Sequence, residues 1–375
     1  MENNVVSLTK QLIRIPSYVG KTVNEKKVAE FIFTFLKEKT YNPKKQFIDK
    51  DRFNVIAIKG NPKLWLCAHM DTVEPKEKSE LIPKIHNGNI YGLGSVDMKG
   101  GLAAILCAIT QQKPQNIGLL FYCDEEYNFL GMKKFLENFN DKPALVMIPE
   151  STNLQISNAH RGLIEVKAVI KGKAGHASRP EEGVNAIAQT VSAIQAMAKE
   201  LEENYSDDAV GITTCTLSRI QGGLQIGIEK GIIVYATGTN SIPNTAEIWI
   251  DIRPAVTHLR GNQIKKLLKK YISKFGCALE QIFITQDLGA LITPKANLQK
   301  VEEIMEENLG GIKYLSSKKM GYGDGQLFFE KTGSPVIYFG PGPSETCHKS
   351  GEYVRISELK KTATVLREVL IHYGK

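Results

Sequence analysis

The chain has no C-x-x-C pair: its six cysteines, Cys67, Cys107, Cys123, Cys215, Cys277 and Cys347, are scattered over 375 residues. That spacing argues against a zinc knuckle or a disulfide frame, and the apolar settings of Cys67, Cys107 and Cys123 read as reduced core positions. No apolar run approaches the ~20 residues needed to cross a bilayer. The opening MENNVVSLTKQLIRIPS carries charges throughout, with no signal-peptide core and no small-residue cleavage motif. The expectation is a cytoplasmic protein. An internal repeat, a low-complexity tract and a long linker are also missing. The formal charge of +8, from 48 basic and 40 acidic residues, is dispersed in groups such as KKLLKK without an aromatic-rich basic motif. Neither nucleic acid nor membrane is expected as a partner, and a mild attraction for anionic small molecules remains. YGLGSVD lacks the third glycine and the ribose-binding acid of a dinucleotide loop.

What is present is a folded chain with 42% apolar and 23% charged residues. Its length suggests two domains. Over the first 150 residues helical patterns (VAEFIFTFLKE, MKGGLAAILCAI, LGMKKFLENF) alternate with short apolar runs (NVIAIK, LWLCAH, IGLLFYC, ALVMIPE). This predicts an α/β domain with a covered mixed sheet, whose ligand site lies at the carboxyl ends of its strands. From about residue 160 the texture changes. GLIEVKAVIKG alternates like a half-exposed strand, VNAIAQTVSAIQAMAKELEENY and QIKKLLKKYISKF read as amphipathic helices, and AEIWIDIR as a strand. These predict an inserted α+β domain over 160–286, leaving 1–159 and 287–375 to the first domain. PVIYFG and ISELKKTATVLREVLIHY close that domain as strand and helix.

The run FYCDEEYNFLG sets three acids, Asp124, Glu125 and Glu126, directly after an apolar strand. Mutual repulsion has to be offset, either by a solvated helix start or by cations. The other strand ends decide between the two. LWLCAHMDTV supplies His69 and Asp71, YGLGSVDMKGG supplies Asp97 before a helix, VMIPEST supplies Glu150, and CHKSGEYV supplies His348 after PVIYFG. Two histidines and several carboxylates on one sheet edge make the donor set of a two-metal hydrolytic site, and zinc accepts both donor types. Asp71 is suited to accept the second ring N–H of His69. His86, His160, His258 and His372 match no such motif and read as ordinary surface or boundary residues.

HMDTV, YGLGSVDMKGG, DEE, PEST, GKAGHASRP, DIRP and CHKSGEYV occur in the order and spacing of the co-catalytic zinc amidohydrolases and peptidases, and the chain resembles that family from VVSLTKQLIRIPS to its last helix. The resemblance implies that His69 and Glu150 hold one zinc, Glu126 and His348 the other, and that Asp97 bridges them. Cobalt or manganese would be substitutes. It makes Glu125 the general base and acid, counts Asp71, through His69, among the catalytic residues, and makes the insertion a ferredoxin-like lid and dimerisation domain. His176 of GHASRP would reach the active site of the second subunit of a homodimer as an oxyanion donor. Asn240 and Arg253 would contact substrate, Arg253 by a bidentate grip on a carboxylate. Within the family the similarity is greatest to the acetylornithine deacetylases of arginine biosynthesis, although Tyr322 stands where desuccinylases carry threonine. The expected substrate is a small N-acyl amino acid, N-acetylornithine first. A desuccinylase or a dipeptidase or carboxypeptidase is the alternative within the class, and a catalytically silent binding module the alternative outside it.

Overall fold

The computed structural model describes residues 4–318 and 321–375, which form two compact units. The first takes the chain up to Asn158, Thr293–Ser316 and Gly323–Lys375. Its six-stranded sheet runs, edge to edge, Lys44–Phe47, Phe53–Lys59, Ile117–Tyr122, Leu64–His69, Leu145–Ile148 and Val336–Tyr338. The last four strands are mutually parallel, and the first two add an antiparallel edge. Every residue of Leu64–His69, Ile117–Tyr122 and Leu145–Ile148 is buried. Strands covered on both faces have no outward row to make polar, so these segments read as unbroken apolar runs. Helices Val5–Ile13, Lys99–Gln112 and Ile356–Tyr373 pack on one another, and Leu130–Leu136 packs against Gly325–Thr332. The buried Trp65 ring joins the latter pair, 5.1 Å from Phe135 and 6.4 Å from Phe328. Because the last four strands are parallel, the loops leaving His69, Tyr122, Ile148 and Tyr338 emerge at one edge.

The second unit comprises Ala159–Ile292 with the described residues of Ser317–Tyr322. Its elements follow the order strand, helix, strand, strand, helix, strand: Leu163–Lys171, Ala186–Asn204, Thr214–Gly223, Thr245–Arg253, Gly261–Lys274 and Ala278–Leu288. The four strands pair antiparallel with Leu163–Lys171 and Thr245–Arg253 central, a ferredoxin-like sheet. Ile164, Val166, Ala168 and Ile170, two residues apart, share one face and bury against Ile194, Met197, Leu268 and Ile272 of the two helices. A hairpin, Gln225–Glu229 with Ile232–Tyr235, extends the unit.

The predicted stretch 160–286 falls inside this unit, which runs to Ile292 because Leu291–Ile292 pairs with Ala159–His160 and ties its two ends together. That pairing corrects the reading of His160, which is fully buried, whereas His86, His258 and His372 are exposed. No helix among the described residues is long and apolar enough to cross a membrane.

Candidate metal centre and active site

The strand Leu64–His69 delivers a buried imidazole. His69 Nδ1 lies 3.1 Å from the Asp71 carbonyl oxygen, to which it donates, so Nε2 is the nitrogen turned to the acids. Nε2 stands 3.1 Å from Asp97 Oδ1 and 3.3 Å from Glu150 Oε1. On the other side of Asp97, His348 Nε2 lies 3.3 Å from Asp97 Oδ2 and 2.9 Å from Glu126 Oε2. Asp97 thus offers one oxygen to each histidine, and each histidine has a second carboxylate.

These separations are those of ligands sharing an ion. Donors about 2.0–2.1 Å from a tetrahedral zinc stand about 3.3 Å apart. Donor atoms of His69, Asp97 and Glu126 also fall within 4.8 Å of one another. Glu126 Oε1 is buried without a hydrogen-bond partner, a costly position for a carboxylate oxygen unless a cation takes it. The residues therefore fit a pair of metal ions.

Asp71 does more than accept the second ring N–H of His69. Its carboxylate Oδ1 is 3.5 Å from His69 Nδ1, and its two oxygens accept the backbone N–H of Glu125 at 3.2 Å and of Glu126 at 3.0 Å. Both amides have left the sheet and need acceptors, and a carboxylate oxygen is a strong one. Asp71 therefore sets the acid loop, while its carbonyl orients the histidine. Asp124, the first acid of the triplet, has partners of its own. Arg52 pairs with it and grips Glu25 through Nε at 2.8 Å and an Nη at 2.7 Å, and Glu25 also accepts the Asp124 N–H at 3.1 Å. Glu25 and Arg52 belong to no motif, so sequence reasoning missed them.

The charge balance is strongly acidic. Burial drives Glu125 well above the usual carboxylate range, with Asp324, Glu126 and Glu150 adding to it and His69 opposing. Burial and Asp97 push Glu126 up to about 7 against the pull of His348 and His69, and burial also raises Glu150. Asp97 is half-buried, and hydrogen bonds from His348 and His69 hold it below its ordinary value despite the desolvation that opposes them. Hydrogen bonds to Asp97 and Glu126 raise His348 to about 10. Asp324, a further acid absent from the sequence reading, receives the Tyr122 hydroxyl at 3.0 Å and is pushed up to about 7 by burial. Its only sequence signal is an acid set between glycines in GYGDGQ.

The remaining candidates stand in the second unit. His176 Nδ1 accepts the Ser178 N–H at 3.2 Å and lies 2.7 Å from Ser178 Oγ. The ring proton of the neutral form therefore sits on Nε2. The Asn240 carbonyl accepts the Ala177 N–H at 2.8 Å, so the His176 and Asn240 segments are tied together. Arg253 Nε and one Nη bond Asp251 at 2.7 and 2.8 Å, and its guanidinium lies 5.1 Å from the Tyr322 ring centroid. A substrate carboxylate would have to displace Asp251 to receive that fork.

The sequence model of peptidase family M20/M25/M40 matches residues 65–372. The chain is 24% identical to an acetylornithine deacetylase of Buchnera aphidicola subsp. Acyrthosiphon pisum over 97% of both chains. It is 30% identical to a probable carboxypeptidase of Aspergillus clavatus over 72% of this chain and 66% of that one. Its fold is similar to that of a tripeptidase from Staphylococcus aureus, with a TM-score of 0.74 and 22% identity over 100% of this chain and 99% of the other.

Proposed function

The chain belongs to peptidase family M20/M25/M40 and is a hydrolytic enzyme, and from this premise we propose that it cleaves the amide bond of an N-acyl amino acid, N-acetylornithine to ornithine and acetate being the leading reaction. The observation that carries the reading is Asp97 set between two histidine–carboxylate pairs, with the Glu125 and Glu126 amides fixed on Asp71 beside them. His69 and Glu150 would hold one zinc, His348 and Glu126 the other, and Asp97 both; cobalt or manganese are substitutes. When bound, such a pair polarises the scissile carbonyl and acidifies the attacking water.

Glu125 takes a proton from that water as its oxygen bonds the acyl carbon, then gives the proton to the departing amine as the C–N bond breaks. The burial that raises its affinity for a proton suits this return step. His176, with its proton on Nε2, has the tautomer needed to donate to the carbonyl oxygen as negative charge develops there. Similarity over nearly the whole length of an acetylornithine deacetylase supports the substrate; a place in arginine biosynthesis and a homodimeric assembly are further parts of the proposal.

The test is a panel of acetyl, succinyl and glutamyl amino acids with di- and tripeptides, followed by amine release in the presence of zinc. N-acetylornithine should give the highest kcat/KM. Glu125→Gln should keep its metal and lose about 10²–10⁴ in rate, the usual worth of a positioned acid–base group. Faster turnover of a succinyl substrate or a peptide would reject the deacetylase, and a Glu125→Gln enzyme of undiminished rate would reject the role of Glu125.

A further inference from the structure

Glu352 lies four residues beyond His348, and only 4% of its surface is exposed. Its carboxylate reaches a segment more than 250 residues away in the chain. Oε2 accepts the Gly94 N–H at 3.1 Å, and Oε1 accepts those of Val96 at 2.9 Å and Asp97 at 3.3 Å. Its own backbone is tied in as well, the carbonyl accepting the Gly92 N–H at 3.1 Å and the N–H donating to the Lys349 carbonyl at 3.3 Å. The segment it holds belongs to no helix or strand. Its amides have no ladder partners of their own, so a buried acceptor decides where they sit.

That segment is also shaped for close approach. Gly94 has φ +75°, and a Cβ there would stand 2.8 Å from Thr72 Cγ2. A buried lysine completes the arrangement: Lys99, 1% exposed, interacts electrostatically with Glu352 and donates its Nζ to the Ile15 carbonyl at 2.8 Å, while its backbone N–H bonds the Gly94 carbonyl at 2.8 Å. One carboxylate therefore fastens the loop that carries Asp97 to the loop that carries His348.

We propose that Glu352 is a positioning residue that fixes the Asp97 carboxylate against His348, and so sets whether one bridging carboxylate can serve both ion sites. The inference rests on the two-metal reading above. Loss of a carboxylate that merely held the fold together would lower stability alike with and without metal. A positioning group alters the metal site beyond any loss of stability, because outer partners that orient ligands are typically worth 10–100-fold in metal affinity.

Glu352→Gln keeps the shape but sets an amide NH2 where one carboxylate oxygen stood, leaving either the Gly94 amide or the Val96 and Asp97 amides facing a donor. Full-length wild-type and variant protein are loaded with zinc and, separately, with cobalt. Metal per chain, zinc affinity, the visible cobalt absorption and the thermal midpoint with and without zinc are then recorded. The expected result is two ions per wild-type chain, a 10–100-fold loss of zinc affinity in Glu352→Gln, an altered cobalt spectrum, and a smaller rise of the midpoint on adding zinc. If Glu352→Gln is insoluble, Glu352→Asp carries the test: it keeps the charge but shortens the reach, and should show the same losses. Wild-type affinity and an unchanged cobalt spectrum in the variant, or equal falls of both midpoints, would overturn the positioning role and leave the two-metal reading intact. A wild-type chain that takes up no zinc would reject that reading and this inference with it.

Discussion

The His160 ring is fully buried, and burial holds its pKa down at about 4, below the 6.5 of an unperturbed histidine. As pH falls past 6.5 the unfolded chain binds a proton that the native state refuses until about pH 4. Its contribution to stability is therefore complete above 6.5 and is lost on the way down to about 4. At about 1.4 kcal/mol per pH unit the loss reaches roughly 2 kcal/mol by pH 5. His160→Leu should remove that component, so the urea midpoint of the wild type should fall further than that of the variant between pH 7.5 and pH 5. Parallel falls would show that another group carries the acid sensitivity. His160 was misread because nothing in AHRG marks a strand that closes a domain. His69, Asp97, Glu150 and His348 could be picked out because each follows an apolar run or a glycine turn, where an α/β sheet presents its ligands. Glu25, Arg52, Asp324 and Glu352 could not, since each acts through a partner far away in sequence. The three adjacent acids illustrate the limit: the chain displays the charges, but only the fold assigns Asp124 to Arg52 and the Glu125 and Glu126 amides to Asp71.

The helix Lys99–Gln112 is the element that follows Asp97, and it passes so close to the end of Leu145–Ile148 that a Cβ on Gly101 would come 1.9 Å from the Pro149 carbonyl oxygen. No rotamer change relieves a clash with backbone. Gly101→Ala must therefore push the helix from the strand end that carries Glu150, at a cost of about 1–3 kcal/mol for overpacking. Gly227→Ala, in a hairpin strand with nothing within 4 Å of the added carbon, is the control and should stay within about 0.5 kcal/mol. Thermal midpoints of the two variants check this, and an unshifted midpoint in Gly101→Ala would mean the close approach does not constrain the helix. Elements of this kind were legible because burial on every side makes the sequence uniformly apolar, as in LWLCAH and IGLLFYC. Thr214–Gly223 and Ala278–Leu288 escaped notice for the opposite reason. They are the edge strands of the second sheet, mostly half-buried or exposed, so their apolar signal is diluted. The hairpin beside them even exposes Ile226, Ile228 and Ile232, an apolar pattern without a core beneath it.

At the scale of the whole molecule the division of residues between units is itself an argument. All the proposed metal donors and Glu125 belong to the first unit, whereas His176, Asn240 and Arg253 belong to the second. Under the homodimer proposed above, His176 of one chain serves the site of the other. Removing an oxyanion donor costs about 10²–10³ in rate, so His176→Ala should fold, bind metal and turn over poorly. Glu125→Ala should be inactive for a different reason. Mixing the two inactive proteins under conditions that exchange subunits separates the arrangements. If His176 acts on the partner chain, a mixed dimer has one site with Glu125 from the His176→Ala chain and His176 from the Glu125→Ala chain. Random exchange then restores about a quarter of all sites. If His176 serves its own chain, every site still lacks one group and the mixture stays as slow as its components. Subunit exchange is followed independently by native mass spectrometry of a tagged chain, so exchange without recovered activity rejects the shared site, while a chain that remains monomeric at assay concentration rejects the dimer.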